Sequence, residues 1–200
     1  MTETVPTGNT YDKYASGNPI EKRMMAGFFA SLDAALPVTP PQTILEVGAG
    51  EGEVAQRLRE RFPEASITIV DLPDDELAGH WHSAGLDGLF GSVEDLPFPD
   101  DAFDLVLGIE MLEHVPNPRR ALEEFARVAR GSAVFSVPRE PIWRVLNMAR
   151  GKYWSDLGNT PGHIQHWSSG SFAKLIGSYF AVDTVRRPLP WTVVSGRVTD

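Results

Sequence analysis

The chain contains no cysteine. A disulfide framework, a thiolate-bound zinc and a catalytic thiol are therefore excluded. No run approaches the ~20 apolar residues needed to span a bilayer. The opening MTETVPTGNTYDKY is polar and has no basic start leading into an apolar core. No secretory signal is read there, and a cytoplasmic protein is expected. Positive charge is scarce in one half: residues 1–100 hold 6 Lys+Arg against 17 Asp+Glu, and residues 101–200 hold 12 against 10. The net charge of −9 argues against a nucleic-acid partner, because phosphate contacts supply most of that affinity. Ordinary solubility explains an acidic first half, and so does a cationic ligand.

What is present suits one domain. The chain has 200 residues, 42% of them hydrophobic, enough for a packed core. Residues 1–17 read as a flexible arm, and 18–200 as a single domain. Asn18-Pro19 marks a helix start, and Ile20, Met24, Phe28, Leu32 and Leu36 carry helical spacing over 19–36. Strand-like and helix-like segments then alternate. Strands are expected at 43–47, 66–70, 86–91, 103–109 and 132–137, with helices at 51–62, 74–84, 117–130 and 168–178. Near-continuous apolar strands separated by helices predict an α/β three-layer sandwich with a mostly parallel sheet. Two last strands flank Pro188-Leu189-Pro190, so the C-terminus should close as an antiparallel hairpin. Residues 141–167 fit neither pattern and read as an irregular insertion that covers a substrate.

The turn GAGEG at 48–52 lies between a strand and a helix. Glycines there permit a sharp turn and close approach of a ligand to the backbone. No Lys-Ser/Thr follows, which excludes a phosphate-gripping P-loop. The third glycine comes one residue too early for the dinucleotide fingerprint. Asp71 ends the next strand, where a carboxylate can accept both hydroxyls of a ribose or simply cap a turn.

Four landmarks now stand in order: EVGAGEG at 46–52, Asp71, LPFPDDAFDLV at 96–106, and EMLEHVPNP at 110–118. Together they resemble the class I S-adenosylmethionine-dependent methyltransferases, of the ubiquinone- and menaquinone-biosynthesis type. The resemblance covers residues 43–138. It implies a Rossmann-like fold with seven strands and S-adenosyl-L-methionine as cofactor. That molecule carries a sulfonium, an ammonium and a carboxylate, but no phosphate. Its carboxylate suits the N–H groups of a helix start near Gly50 and Gly52. Its cations suit Glu46. By the same resemblance Gly48 and Gly50 pass the methionine part, Asp71 holds the ribose and Leu72 packs on adenine. Ser92 and the Val93 N–H stand where relatives contact the adenine, and Tyr14 in the arm closes over the cofactor.

Methyl transfer from a sulfonium needs an aligned nucleophile and, for some acceptors, a base. Strand 103–109 delivers Glu110, Glu113 and His114 at its carboxyl end, where open sheets place ligands. His114 is the leading base, with Glu110, His163 and His166 beside it, and a structural histidine is the alternative. Glu110, Glu113, His114 and His163 also form an O/N ligand set for a divalent metal. An E-x-x-E-H pattern with a downstream histidine resembles metal-using O-methyltransferases. His80 and His82 read as surface residues. The expected acceptor is a small molecule, methylated on oxygen first and on nitrogen or carbon otherwise. A binding-only protein and a nicotinamide enzyme remain the other readings, the latter disfavoured by the glycine spacing.

Overall fold

The computed structural model describes residues 18–199. Tyr14, expected at the cofactor, lies outside the described residues. The first helix, α1 (Pro19–Asp33), starts where Asn18 accepts the Ile20 N–H at 2.9 Å. It buries Phe28 and Leu32. It ends three residues before the expected position, at Asp33, with Ala34 as its C-cap.

Strands β1 (Thr43–Val47), β2 (Ser66–Asp71), β3 (Asp87–Phe90), β4 (Phe103–Ile109) and β5 (Ala129–Pro138) are mutually parallel. Strands β6 (Ala181–Arg186) and β7 (Trp191–Arg197) form the C-terminal hairpin. The sheet order is β3-β2-β1-β4-β5-β7-β6, with β7 antiparallel to β5. The expected α/β fold with an antiparallel end is therefore present, and β4 sits at the centre of the sheet, beside β1. Helices α2 (Glu53–Arg61), α3 (Asp75–Ala84), α4 (Pro118–Val128) and α6 (Ser169–Ile176) fall on the predicted segments.

Side-chain alternation divides the core. Leu45, Phe135, Phe125 and Phe172 pack together on one side of the sheet. Ile44, Leu107, Leu58 and Phe28 pack on the other. No described helix is long and apolar enough to cross a membrane.

Two expectations need correction. Strand β5 begins three residues early, because Arg130-Gly131-Ser132 hides its start behind polar residues. Within the insertion expected to be irregular, Ile142–Ala149 forms helix α5. Its buried face is Trp143 and Asn147, one turn apart. The inward Asn147 breaks the apolar pattern, and its Nδ2 donates to the Gly158 carbonyl at 2.9 Å.

Gly27 is an exposed glycine in the interior of α1, and an added Cβ there meets nothing within 4 Å. Gly27→Ala should raise the unfolding free energy by about 0.5–1 kcal/mol, because alanine gives up less backbone freedom in a helix. Urea titration checks this.

Candidate active site at the carboxyl edge of the sheet

Parallel strands carry all their carboxyl ends to one edge, and the predicted residues collect there. Gly48, Gly50 and Gly52 all have positive φ, at 73°, 52° and 88°. A Cβ on Gly48 would lie 2.6 Å from the Met111 Cβ. The turn is thus pressed against the segment that follows β4.

Asp71 ties this turn down. Its Oδ2 accepts the Gly50 N–H and its Oδ1 the Leu72 N–H, both at 2.7 Å. The Gly52 N–H donates to the Ala49 carbonyl at 2.9 Å. Both of these N–H groups thus have protein partners. Burial pushes the Asp71 carboxyl upward, while the Gly50 and Leu72 N–H groups pull it back down.

Glu46 sits at the end of β1 and is 2% exposed. Burial raises its carboxyl to about 8, with the nearby Asp71 charge adding to the rise and the Ala55 N–H opposing it. Its Oε2 is sealed from solvent and has no hydrogen-bond partner among the described residues. Two carboxyl groups, Glu46 buried and Asp71 partly buried, thus act on each other beside a glycine turn. Such a pair is relieved by a cation.

Leu72 is exposed. Ser92 is exposed, and its Oγ accepts the Glu94 N–H at 3.2 Å, closing its own loop. Val93 is buried. His80 and His82 are exposed as expected. Between them lies Trp81, which sequence reasoning missed. It is buried, and its Nε1 donates to the Gly50 carbonyl at 2.7 Å. Gly88 makes room for it, since a Cβ there would be 2.2 Å from the indole. Trp81 is a strut beneath the glycine turn.

Beyond β4 the chain turns sharply. Glu110 takes a φ of 55°, unusual for a side chain with a Cβ. Its N–H donates to the Ser136 carbonyl at 3.1 Å, and its Oε1 accepts the Ser136 hydroxyl at 2.8 Å. A 3-10 turn, Leu112–His114, then aims the next two groups elsewhere. Glu113, His114 and His163 each offer a ligand atom within 4.8 Å of the others. Glu110 is not in this group, so the four-residue set expected from sequence reduces to three.

The His114 and His163 ring centroids are 4.8 Å apart, edge to face. His163 also stacks on Trp143 at 5.9 Å. His114 Nδ1 lies 2.9 Å from the Gly162 carbonyl oxygen. A carbonyl only accepts, so Nδ1 carries the proton and the basic lone pair of the neutral ring belongs to Nε2. The Glu113 carbonyl accepts the Ile164 and Gln165 N–H groups at 2.9 and 3.0 Å. The EH pair therefore clasps the downstream loop. Residues 161–167 are not helical, so the HIQH spacing does not stack its two rings. His166 stands apart, with Nε2 at 2.9 Å from Arg144 Nη2 and 2.7 Å from Asn159 Oδ1. Burial, helped by the Arg144 charge, lowers its pKa.

Residues 45–137 match the family described as "Methyltransferase domain". That segment resembles a methyltransferase domain, and the chain shares the fold of solved S-adenosylmethionine-dependent methyltransferases. The chain is 34% identical over 130 residues to a malonyl-[acyl-carrier protein] O-methyltransferase of Geobacter sulfurreducens, a match covering 63% of this chain and 47% of that protein. It is 39% identical over 95 residues to a fatty-acid O-methyltransferase of Mycolicibacterium smegmatis, covering 46% of this chain and 35% of that one. The chain thus spans less than half the length of these curated relatives. Among solved structures, the chain is similar in fold to the PH0226 protein of Pyrococcus horikoshii, with a TM-score of 0.69, 15% identity, and 95% and 97% of the two chains covered. A SAM-dependent methyltransferase from Aquifex aeolicus gives a TM-score of 0.67 at 16% identity, with 91% and 94% covered.

Proposed function

We propose that this protein binds S-adenosylmethionine at the GAGEG turn and transfers its methyl group to an oxygen of a small-molecule or lipid acceptor. One observation carries the reading: the buried Glu46 carboxyl, with an unpartnered oxygen and Asp71 beside it. A phosphate would be repelled there, whereas a sulfonium and an ammonium supply the missing positive charge. The fit extends to the turn, where glycine is required by positive φ and by contact with Met111. The oxygen preference follows the curated relatives, two of which are named O-methyltransferases.

In this reading Glu46 and Asp71 orient the cofactor. Leu72 covers its adenine, and Trp81 holds the turn rigid from below. His114 presents Nε2 toward its own cluster as a base for a hydroxyl acceptor. Such a group contributes about 10²–10⁴-fold where a proton must leave. The test is methyl transfer from methyl-labelled S-adenosylmethionine to a panel of hydroxy and carboxy acceptors. Labelled product that requires Glu46 supports the proposal. Cofactor binding without transfer to any acceptor leaves a binding-only protein.

A second reading rests on the Glu113, His114 and His163 group. One carboxylate and two imidazoles suit a borderline divalent metal. When bound, such a metal would lower the pKa of an acceptor hydroxyl. We expect Zn²⁺ or Co²⁺ to bind the protein and His163→Ala to weaken that binding by about tenfold or more. Titration followed by calorimetry and Co²⁺ absorption measures both. Full turnover in excess chelator would contradict the metal.

A further inference from the structure

A 3-10 turn, Trp154–Asp156, follows α5. Tyr153 before it has a φ of 56° and Leu157 after it a φ of 50°. Residues with a Cβ hold such angles only where surrounding contacts impose them. Here the Gly158 N–H donates to the Tyr153 carbonyl at 2.8 Å, and the Lys152 N–H to the Asn147 carbonyl at 2.9 Å. What this strained backbone presents is apolar. Trp154 is 65% exposed and Leu157 70%. Gly158 seats the turn on α5, since a Cβ there would lie 2.3 Å from the Arg144 carbonyl oxygen. Leu157 precedes that contact on one side and Val145, 55% exposed, follows it on the other. The two emerge from one junction. Clustered exposed apolar side chains of this kind mark an interaction site.

Charge selects the partner. Arg150 Nη1 donates to Glu21 at 3.1 Å, which ties the end of α5 to the first turn of α1. That turn adds Ile20, 69% exposed, and the exposed Lys22 and Arg23. Its acid, Glu21, is already neutralised by Arg150. Ile20 and Arg23 line an open groove with Leu189, and the exposed Arg187 stands two residues before Leu189. Cations thus gather here on a chain whose net charge is −9. A cationic rim around an aromatic and aliphatic centre complements an anionic bilayer. Tryptophan and leucine enter the headgroup boundary, while lysine and arginine meet the lipid phosphates. The acidic remainder of the chain is repelled by the same surface, which fixes the orientation.

We propose that this face docks the protein reversibly on an anionic lipid bilayer, with Trp154, Leu157 and Val145 in the interface and Lys22, Arg23 and Arg187 on the headgroups. Few apolar side chains and few cations make the attachment weak and reversible. Helix α5 then has its outer face on the bilayer and its inner face on the histidine cluster, where Trp143 stacks on His163 at 5.9 Å.

The test mixes the full chain with vesicles of phosphatidylcholine alone, or of phosphatidylcholine with about one third phosphatidylglycerol. Cosedimentation should show binding to the anionic vesicles about tenfold or more tighter than to the neutral ones, and weaker as salt is added. Lys22→Gln with Arg23→Gln should weaken that binding about tenfold or more. Trp154→Ser with Leu157→Ser should weaken it by about as much. Trp154→Phe keeps an apolar ring and should keep the binding, while losing most of the quenching of tryptophan fluorescence by brominated lipid. Trp81, Trp143 and Trp191 are buried and Trp167 half-buried, so that quenching reports Trp154. Circular dichroism and melting should not change, because every replaced side chain is exposed. Vesicle binding unaffected by either double substitution overturns the proposal. So does equal affinity for neutral and anionic vesicles, or a dimer that Trp154→Ser with Leu157→Ser dissolves while vesicles stay unbound. Docking needs no cofactor, so the vesicle assay succeeds or fails independently of the methyl-transfer assay.

Discussion

Glu46→Gln should weaken S-adenosylmethionine binding by about 10- to 100-fold, the worth of one buried charge-assisted contact. Glutamine keeps the shape of Glu46 but cannot ionise. With its carboxyl raised to about 8 by burial and by Asp71, Glu46 is largely protonated at pH 7 in the free protein. Binding a cation favours the ionised form, so the wild type should release close to one proton per cofactor bound at pH 7. Calorimetry in buffers of different ionisation enthalpy measures this release, and Glu46→Gln should abolish it.

The free protein should respond oppositely. A carboxyl raised from 4.5 to about 8 holds its proton longer when folded than when unfolded. Its contribution to stability is full below pH 4.5 and is lost as pH rises toward 8. The slope approaches ~1.4 kcal/mol per pH unit within that window. Unfolding of Glu46→Gln should lack this component, and the variant should gain on the wild type as pH rises. Parallel stability curves for the two proteins would show that Glu46 is not the group responsible.

Gly48→Ala should abolish cofactor binding and cost about 2–4 kcal/mol of stability. Two independent causes add. A residue with a Cβ held at a φ of 73° carries ~1–3 kcal/mol of strain. The new methyl also lands 2.6 Å from the Met111 Cβ, which is fixed by its own backbone. The turn or the 110–114 segment must then move, and both belong to the proposed site. Gly27→Ala is the matched control, because its Cβ meets open space and the helix gains. A Gly48→Ala protein with native melting and native cofactor affinity would remove the glycine turn from the site.

Much of this architecture was legible because hydrophobic runs were cleanly bounded. Phe103–Ile109 was found residue for residue, between acidic Asp100–Asp101 and Glu110. Where a buried polar side chain carried the packing, the reading failed, as at Asn147 in α5. Trp81 was hidden by its neighbours: two exposed histidines flank a buried indole, and a helix face shows little over so short a span. The EMLEH motif was visible, but its division was not. A left-handed Glu110 and the 3-10 turn leave that carboxylate on Ser136 while Glu113 and His114 turn to His163. Only the backbone carries that information. The motif LPFPDDAFDLV served as a family landmark, and the structure gives part of it a mechanical role. Arg127 donates to the carbonyls of Leu96 and Phe98 and to Asp100, clasping the loop onto α4. Glu124 fixes Arg127 in turn, and the pair holds the Glu124 carboxyl below its ordinary range.

Calorimetric titration of the unmodified chain with S-adenosylmethionine, S-adenosylhomocysteine and NAD⁺ tests the central claim most directly. We predict saturable binding of the first two, proton release with S-adenosylmethionine at pH 7, and no binding of NAD⁺. Binding of NAD⁺ with neither of the others would contradict the assignment of the Glu46–Asp71 pocket to a cationic cofactor.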